Sequence, residues 1–78
     1  MSYPILSETK AIIGLLESEG ATAVAEDVKH AFYGTCVNIE LLMGVKFYLA
    51  KMPANAVSPS TMYRIKTLLA EIDKILQR

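Results

Sequence analysis

The chain contains one histidine, His30, and one cysteine, Cys36, and these are the side chains best suited to nucleophilic or metal chemistry. On a helix, their spacing places them about 120° apart around the axis, so they cannot form a nucleophile–base pair. We interpret Cys36 as a small buried apolar residue and His30 as an exposed histidine one turn from Glu26. The sequence also lacks HExxH, CxxC and phosphate-binding glycine motifs. We therefore predict a protein that is not an enzyme and has no metal or cofactor.

Composition and charge indicate a small globular protein whose apolar fraction is a little above the usual soluble range. Hydrophobic residues make up 53% of the 78 residues and charged residues 21%, which indicates one folded domain, residues 1–78. Basic and acidic residues balance to a net charge of zero, unlike the basic surfaces that bind nucleic acids or anionic membranes. The single cysteine and the start MSYPILSETK, which has no signal-peptide pattern, predict a soluble cytoplasmic protein without a membrane segment.

The first helix is predicted over residues 8–19. Ser7 is a suitable N-cap, and Gly20 is placed to end the helix. Gly14 inside this helix is either merely tolerated or marks a close approach between two helices. The apolar face consists of Ile12, Ile13, Leu15 and Leu16.

The last helix is predicted over residues 59–77. Ser58 is its N-cap and Pro59 its first residue, the position at which proline fits a helix best. Apolar residues then recur with alternating spacings of three and four, as in a helical bundle or coiled coil. These residues are Met62, Ile65, Leu69, Ile72 and Leu76.

The middle segment allows two interpretations. Alternation with period two over residues 36–50, with Met43-Gly44 as a turn, predicts a β-hairpin and an α+β fold. A polar stripe of helical period predicts instead a helix over residues 22–52, which Gly34 could break. We favour the all-α interpretation, because the stripe keeps its phase and Met-Gly is a poor hairpin turn.

A continuous middle helix requires a second copy of the chain. It would be about 45 Å long, with the other two helices packed over separate halves, and one of its apolar faces would stay uncovered. A two-fold copy covers that face and completes a symmetric bundle. If Gly34 divides the helix, four shorter helices could instead close into a compact monomer. The residues predicted to carry the dimer contact are Ile39, Leu42, Met43, Val45, Phe47 and Leu49.

Residues 57–69, VSPSTMYRIKTLL, resemble the recognition helix of helix-turn-helix DNA-binding proteins, in which a Ser-rich start leads into a helix with a Tyr-Arg pair. The preceding segment, KMPANAVSPS, is longer than the usual turn of about 3–4 residues. The resemblance implies an all-helical DNA-binding regulator that uses helix 58–77. In that case the side chains facing DNA would be Ser60, Thr61, Tyr63, Arg64 and Lys66.

The sequence therefore favours a homodimeric protein–protein interaction module, such as an adaptor, a modulator or an inhibitor of the immunity type. The DNA-binding regulator is the alternative. A third class is a protein that holds a small apolar ligand between its helices.

Overall fold

A computed structural model describes residues 3–34 and 38–77, and Cys36 lies outside this part of the chain. The helices are α1 (Ile5–Ser18), α2 (Thr22–Tyr33), α3 (Asn38–Ala50) and α4 (Pro59–Leu76), with a short 3-10 helix, Ala54–Ala56, before α4. The all-α prediction is confirmed. The hairpin alternative for residues 36–50 is wrong, because Met43 and Gly44 lie inside α3 and the described residues form no strand.

The predicted continuous helix over residues 22–52 is wrong, because the chain reverses between α2 and α3. The N–H of Gly34 makes the last hydrogen bond of α2, to the carbonyl of His30 at 2.8 Å. Gly44 of α3 lies so close to Ala31 of α2 that a Cβ added to it would stand 2.8 Å from the Ala31 Cβ. In a continuous helix these two positions would be about 20 Å apart. The four-helix alternative, with its break near Gly34, therefore describes the chain.

The four helices close into a ring around one core. α1 contacts α2 and α4, and α3 contacts the same two helices from the other side. The longest dimension of the chain is 32 Å, shorter than the ~45 Å that a continuous middle helix would need. The four helices therefore form a closed arrangement, in contrast to the open layer of three helices that a continuous middle helix predicts. The core consists of Ile12, Ile13, Leu16, Ala25, Val28, Phe32, Leu41, Leu42, Val45, Leu49, Met52, Val57, Ile65, Leu68 and Ile72.

α1 begins one turn earlier than predicted and ends where predicted. Pro4 is the N-cap and Ser7 lies within the helix, because the added turn brings Ile5 into contact with the core. At the other end Gly20 has a φ of 86°, a conformation that glycine adopts without strain. Its N–H bonds the carbonyl of Glu17 at 3.3 Å, and the N–H of Ala21 bonds that of Leu16 at 2.9 Å. This Schellman pattern turns the chain from α1 into α2.

α4 begins as predicted. The Ser58 side chain accepts a hydrogen bond from the N–H of Thr61, and Pro59 occupies the first turn. Ile65 and Ile72 are buried, as the apolar spacing indicated, and Leu68 is buried with them. None of the helices within residues 3–34 and 38–77 is long and apolar enough to cross a bilayer.

The close helix approach occurs at Gly44 and not at Gly14. A Cβ added to Gly14 would have no neighbour within 4 Å, whereas one added to Gly44 would press on Ala31. Alanine at either site gains helix propensity, but only the change at Gly44 must push two helices apart. We predict that Gly44→Ala has an unfolding free energy about 1–3 kcal/mol lower than that of Gly14→Ala. Urea unfolding of both variants measures this difference, and equal stabilities would contradict the helix crossing.

Candidate functional site

α3 lies between α2 and α4 and has two apolar sides. The side around Val45 is fully buried in the core. Gly44 borders α2 through Ala31, and Lys46 borders α4 through an ion pair with Asp73 at 2.5 Å. At about 100° per residue, Met43 and Phe47 project roughly 160° away from Val45, so they point out of the molecule.

The six predicted interface residues are divided between these two sides. Ile39, Met43 and Phe47 are 49%, 55% and 57% exposed and form a stripe one turn apart along the outer side. Leu42, Val45 and Leu49 are instead buried within the chain. For these three residues the prediction needs correction. The reversal at Gly34 lets α2 and α4 cover the side of α3 that a partner was expected to cover.

A residue of α1 extends the outer stripe. Leu6 is 52% exposed and lines a common groove with Ile39. We call Leu6, Ile39, Met43 and Phe47 the apolar face. Sequence reasoning missed Leu6 because it lies before the predicted start of α1, and its neighbours on α3 are distant in sequence.

Two grooves border the apolar face. The first groove has a volume of about 490 Å³ and is lined by Ile5, Leu6, Ile39, Leu41, Leu42 and Ile75. The second has a volume of about 380 Å³ and is lined by Met43, Lys46, Phe47, Ala50, Lys51 and Leu76. Leu41 and Leu42 are nearly buried, so they form the floor of the first groove.

Two lysines border the second groove. The Lys46 ammonium is paired with Asp73, which leaves little net charge beside the stripe. The Lys51 ammonium lies 4.4 Å from the centre of the Phe47 ring, a cation–π contact on one side of that ring. The border of the apolar face is therefore polar, as the rims of protein interfaces usually are.

The start of α4 carries a polar cluster that reaches across to the end of α1. Glu19, at the end of α1, accepts hydrogen bonds from the Ser58 N–H at 2.5 Å, the Ser58 hydroxyl at 3.2 Å and the Thr61 hydroxyl. These bonds, chiefly those from the Thr61 hydroxyl and the Ser58 N–H, lower the pKa of Glu19 below its usual value. Glu19 thus acts as a carboxylate cap on another helix, a role that no local sequence signal indicated.

The residues predicted to face DNA from the helix-turn-helix resemblance are divided between contacts with α1 and exposed positions. Arg64 donates two hydrogen bonds, both 2.8 Å, to the Glu8 carboxylate of α1, and this contact lowers the pKa of Glu8. Thr61 is buried against Glu19. Both side chains therefore hold α4 on α1. The exposed members are Ser60, Tyr63 and Lys66.

His30, the described candidate for chemistry, does not line either groove of the apolar face. His30 is an exposed residue near the end of α2, with Nε2 at 3.9 Å from the Glu26 carboxylate. Within residues 3–34 and 38–77, no group of three or more His, Cys, Asp or Glu side chains could hold a metal ion.

No protein-family model matches the chain, and comparisons with curated proteins and with solved structures find no similar protein.

The Glu19 cap predicts a specific pH dependence of stability. Because the pKa of Glu19 is lower in the folded chain than its ordinary 4.5, the carboxylate stabilises the fold above that pH. This contribution is lost as the pH falls through the lowered pKa. We expect Glu19→Gln to lower the unfolding midpoint at pH 7 and to approach the wild type in acid.

Thermal melts from pH 7 to pH 3 measure this convergence. Glu17→Gln is the matched control on α1, because it removes a partly exposed ion pair with Lys29 of α2. The cap would be contradicted if both variants gave the same difference from the wild type at every pH.

Proposed function

We propose that this protein is a non-enzymatic protein–protein interaction module that acts as a homodimer through its apolar face. One observation carries the proposal: four large apolar side chains, each about half exposed, lie together on a chain that already closes its own core. Folding does not require these residues on the surface, since α2 and α4 cover the other side of α3. Their clustering is therefore better explained by a partner than by packing.

The size of the face suits a specific contact. The four side chains present on the order of 400 Å² of apolar surface, taking roughly 200 Å² for a large side chain when fully exposed. The largest apolar patch on a typical monomer is about 300–600 Å² and is often functional. A standard interface covers about 800 Å² per partner. The apolar face would supply about half of that area, and the groove walls and polar border would supply the rest.

A second copy of the chain is the partner that this surface suits best. The net charge is zero, and the charged residues closest to the centre of the stripe, Glu40 and Lys46, have opposite signs, with Lys46 paired to Asp73. Two copies can therefore meet without a strong like-charge repulsion. The dimer would act on other proteins by occlusion or tethering, as an adaptor, a modulator or an inhibitor of the immunity type does, and it would need no chemistry of its own.

The DNA-binding regulator remains the alternative proposal, supported by the exposed Ser60, Tyr63 and Lys66 of α4. Arg64 is a poor test of it, because its contact with Glu8 makes Arg64→Ala a change in folding as well. Lys66→Glu changes the charge of an exposed side chain and is the better variant. A gel shift with genomic fragments at low salt decides this alternative, because no retardation by the wild type would remove it.

The homodimer proposal predicts that Phe47→Glu dissociates the protein without unfolding it. Phe47 is 57% exposed in the single chain, so a charge is tolerated there until a partner covers it. We expect the dimer dissociation constant to rise at least about tenfold, which corresponds to ~1.4 kcal/mol. Light scattering coupled to size exclusion, over a tenfold range of concentration, measures this change.

Tyr63→Glu is the matched control for this experiment. It places the same charge on an exposed aromatic position, 73% exposed, outside the apolar face. The control should keep the wild-type mass at every concentration. A Phe47→Glu protein that dimerises as tightly as the wild type would show that the apolar face is not the contact.

A further inference from the structure

The apolar face carries both a projection and a recess. Phe47 projects from α3 and is the largest of its four side chains. The first groove opens at the other end of the stripe, with Leu6 and Ile39 at its walls and Leu42 in its floor. Its volume of about 490 Å³ exceeds the ~150 Å³ of apolar cavity that holds a benzene ring, so a phenyl ring fits within it.

The chain cannot fill its own groove with its own ring. Phe47 lies two helical turns beyond Ile39, which is about 12 Å along α3. In a second copy related by a two-fold axis perpendicular to α3, the helix runs antiparallel to the first. Its recess then lies beside the projection of the first copy, and its projection beside the recess. An axis near Met43, midway between Ile39 and Phe47, brings each projection to the partner's recess.

We infer that the dimer interlocks, with Phe47 of each copy inserted into the first groove of the other and the two α3 helices antiparallel across an axis near Met43. This inference rests on the proposed homodimer and specifies its geometry. Each inserted ring keeps the Lys51 ammonium on one side and meets Leu6, Ile39 and Leu42 of the partner on the other. Aromatic side chains in such pockets contribute most of the binding energy in many interfaces.

The charges on the face are compatible with this axis. Glu40 and Lys46 lie about one turn from Met43 on either side of it, and Lys46 is paired with Asp73, so charges of both signs lie near the axis. Lys51 lies about 12 Å from Met43 along α3, which sets the two copies of Lys51 roughly 24 Å apart. That separation exceeds the Debye length of ~8 Å at physiological salt, so their repulsion is largely screened.

Complementary mixtures of two variants test the interlock. Phe47→Lys charges the projection and Leu6→Glu charges the recess; both positions are exposed in the single chain, so each variant should fold. Each variant alone should dimerise at least about tenfold more weakly than the wild type, because its dimer buries two unpaired charges. In an equal mixture, the heterodimer has one native contact and one contact that pairs the new ammonium with the new carboxylate. We expect native mass spectrometry to show mainly heterodimer.

A second mixture distinguishes the other way in which the same face could dimerise. If the two Phe47 rings met each other on the axis, Phe47→Lys mixed with Phe47→Glu would restore the dimer and the first mixture would not. Phe47→Ala, which removes the ring without adding a charge, should weaken the dimer while leaving the thermal midpoint of the monomer unchanged. If a charged variant fails to fold, Leu6→Ala keeps the test valid, because the interlock predicts a weaker dimer for it and contact between the two Phe47 rings predicts no change.

The outcomes distinguish a failure of the interlock from a failure of the homodimer. Recovery in the first mixture alone supports the interlock. A wild type that dimerises, with recovery in the second mixture only or in neither, overturns the interlock and leaves the homodimer. A wild type that stays at 8.6 kDa at all concentrations overturns the homodimer as well.

Discussion

The contact between Gly44 and Ala31 is the constraint on which the rest of the structure depends. Only a glycine at position 44 lets α3 approach α2 so closely, since any Cβ there would press on Ala31. This approach packs residues 38–50 back on residues 22–33. It converts one long apolar segment into two short helices that share a core. Without it, α3 would lose the wall that buries one side of Val45, and the chain would need another molecule to complete its core.

The other three helix contacts are each supported by polar groups from distant parts of the sequence. Lys29 bonds Glu17 between α2 and α1, Lys46 bonds Asp73 between α3 and α4, and Glu8 and Glu19 of α1 bond groups of α4. Exposed ion pairs contribute little to stability, but they favour one arrangement of neighbouring helices over others. Once these contacts close the ring, the outer side of α3 is the side that remains uncovered. The same closure that buries the core therefore leaves the apolar face exposed.

The sequence predicted the helical class and most helix ends, because these depend on local signals. Ser58 with Pro59 at the start of α4 and Gly20 after α1 act through their own backbone neighbourhood. The reversal after α2 was not decided, because Gly34 lies in a stripe that keeps a helical phase and Gly44 acts only through a distant residue. For the same reason the six interface residues were chosen by apolarity alone. Separating Met43 and Phe47 from Val45 required knowing which side α2 and α4 would cover.

The measurement that tests the reversal most directly is the distance between spin labels on residues 23 and 50, both exposed positions on α2 and α3. The native cysteine is replaced by serine so that the labels attach only at these two sites. The labelled protein is then diluted with unlabelled chain, so that distances between labels on different copies do not contribute to the signal. The fold described here predicts a single distance shorter than the 32 Å length of the whole chain. A distance near 40 Å would mean that residues 22–52 form one continuous helix, which would contradict the reversal and the closed core.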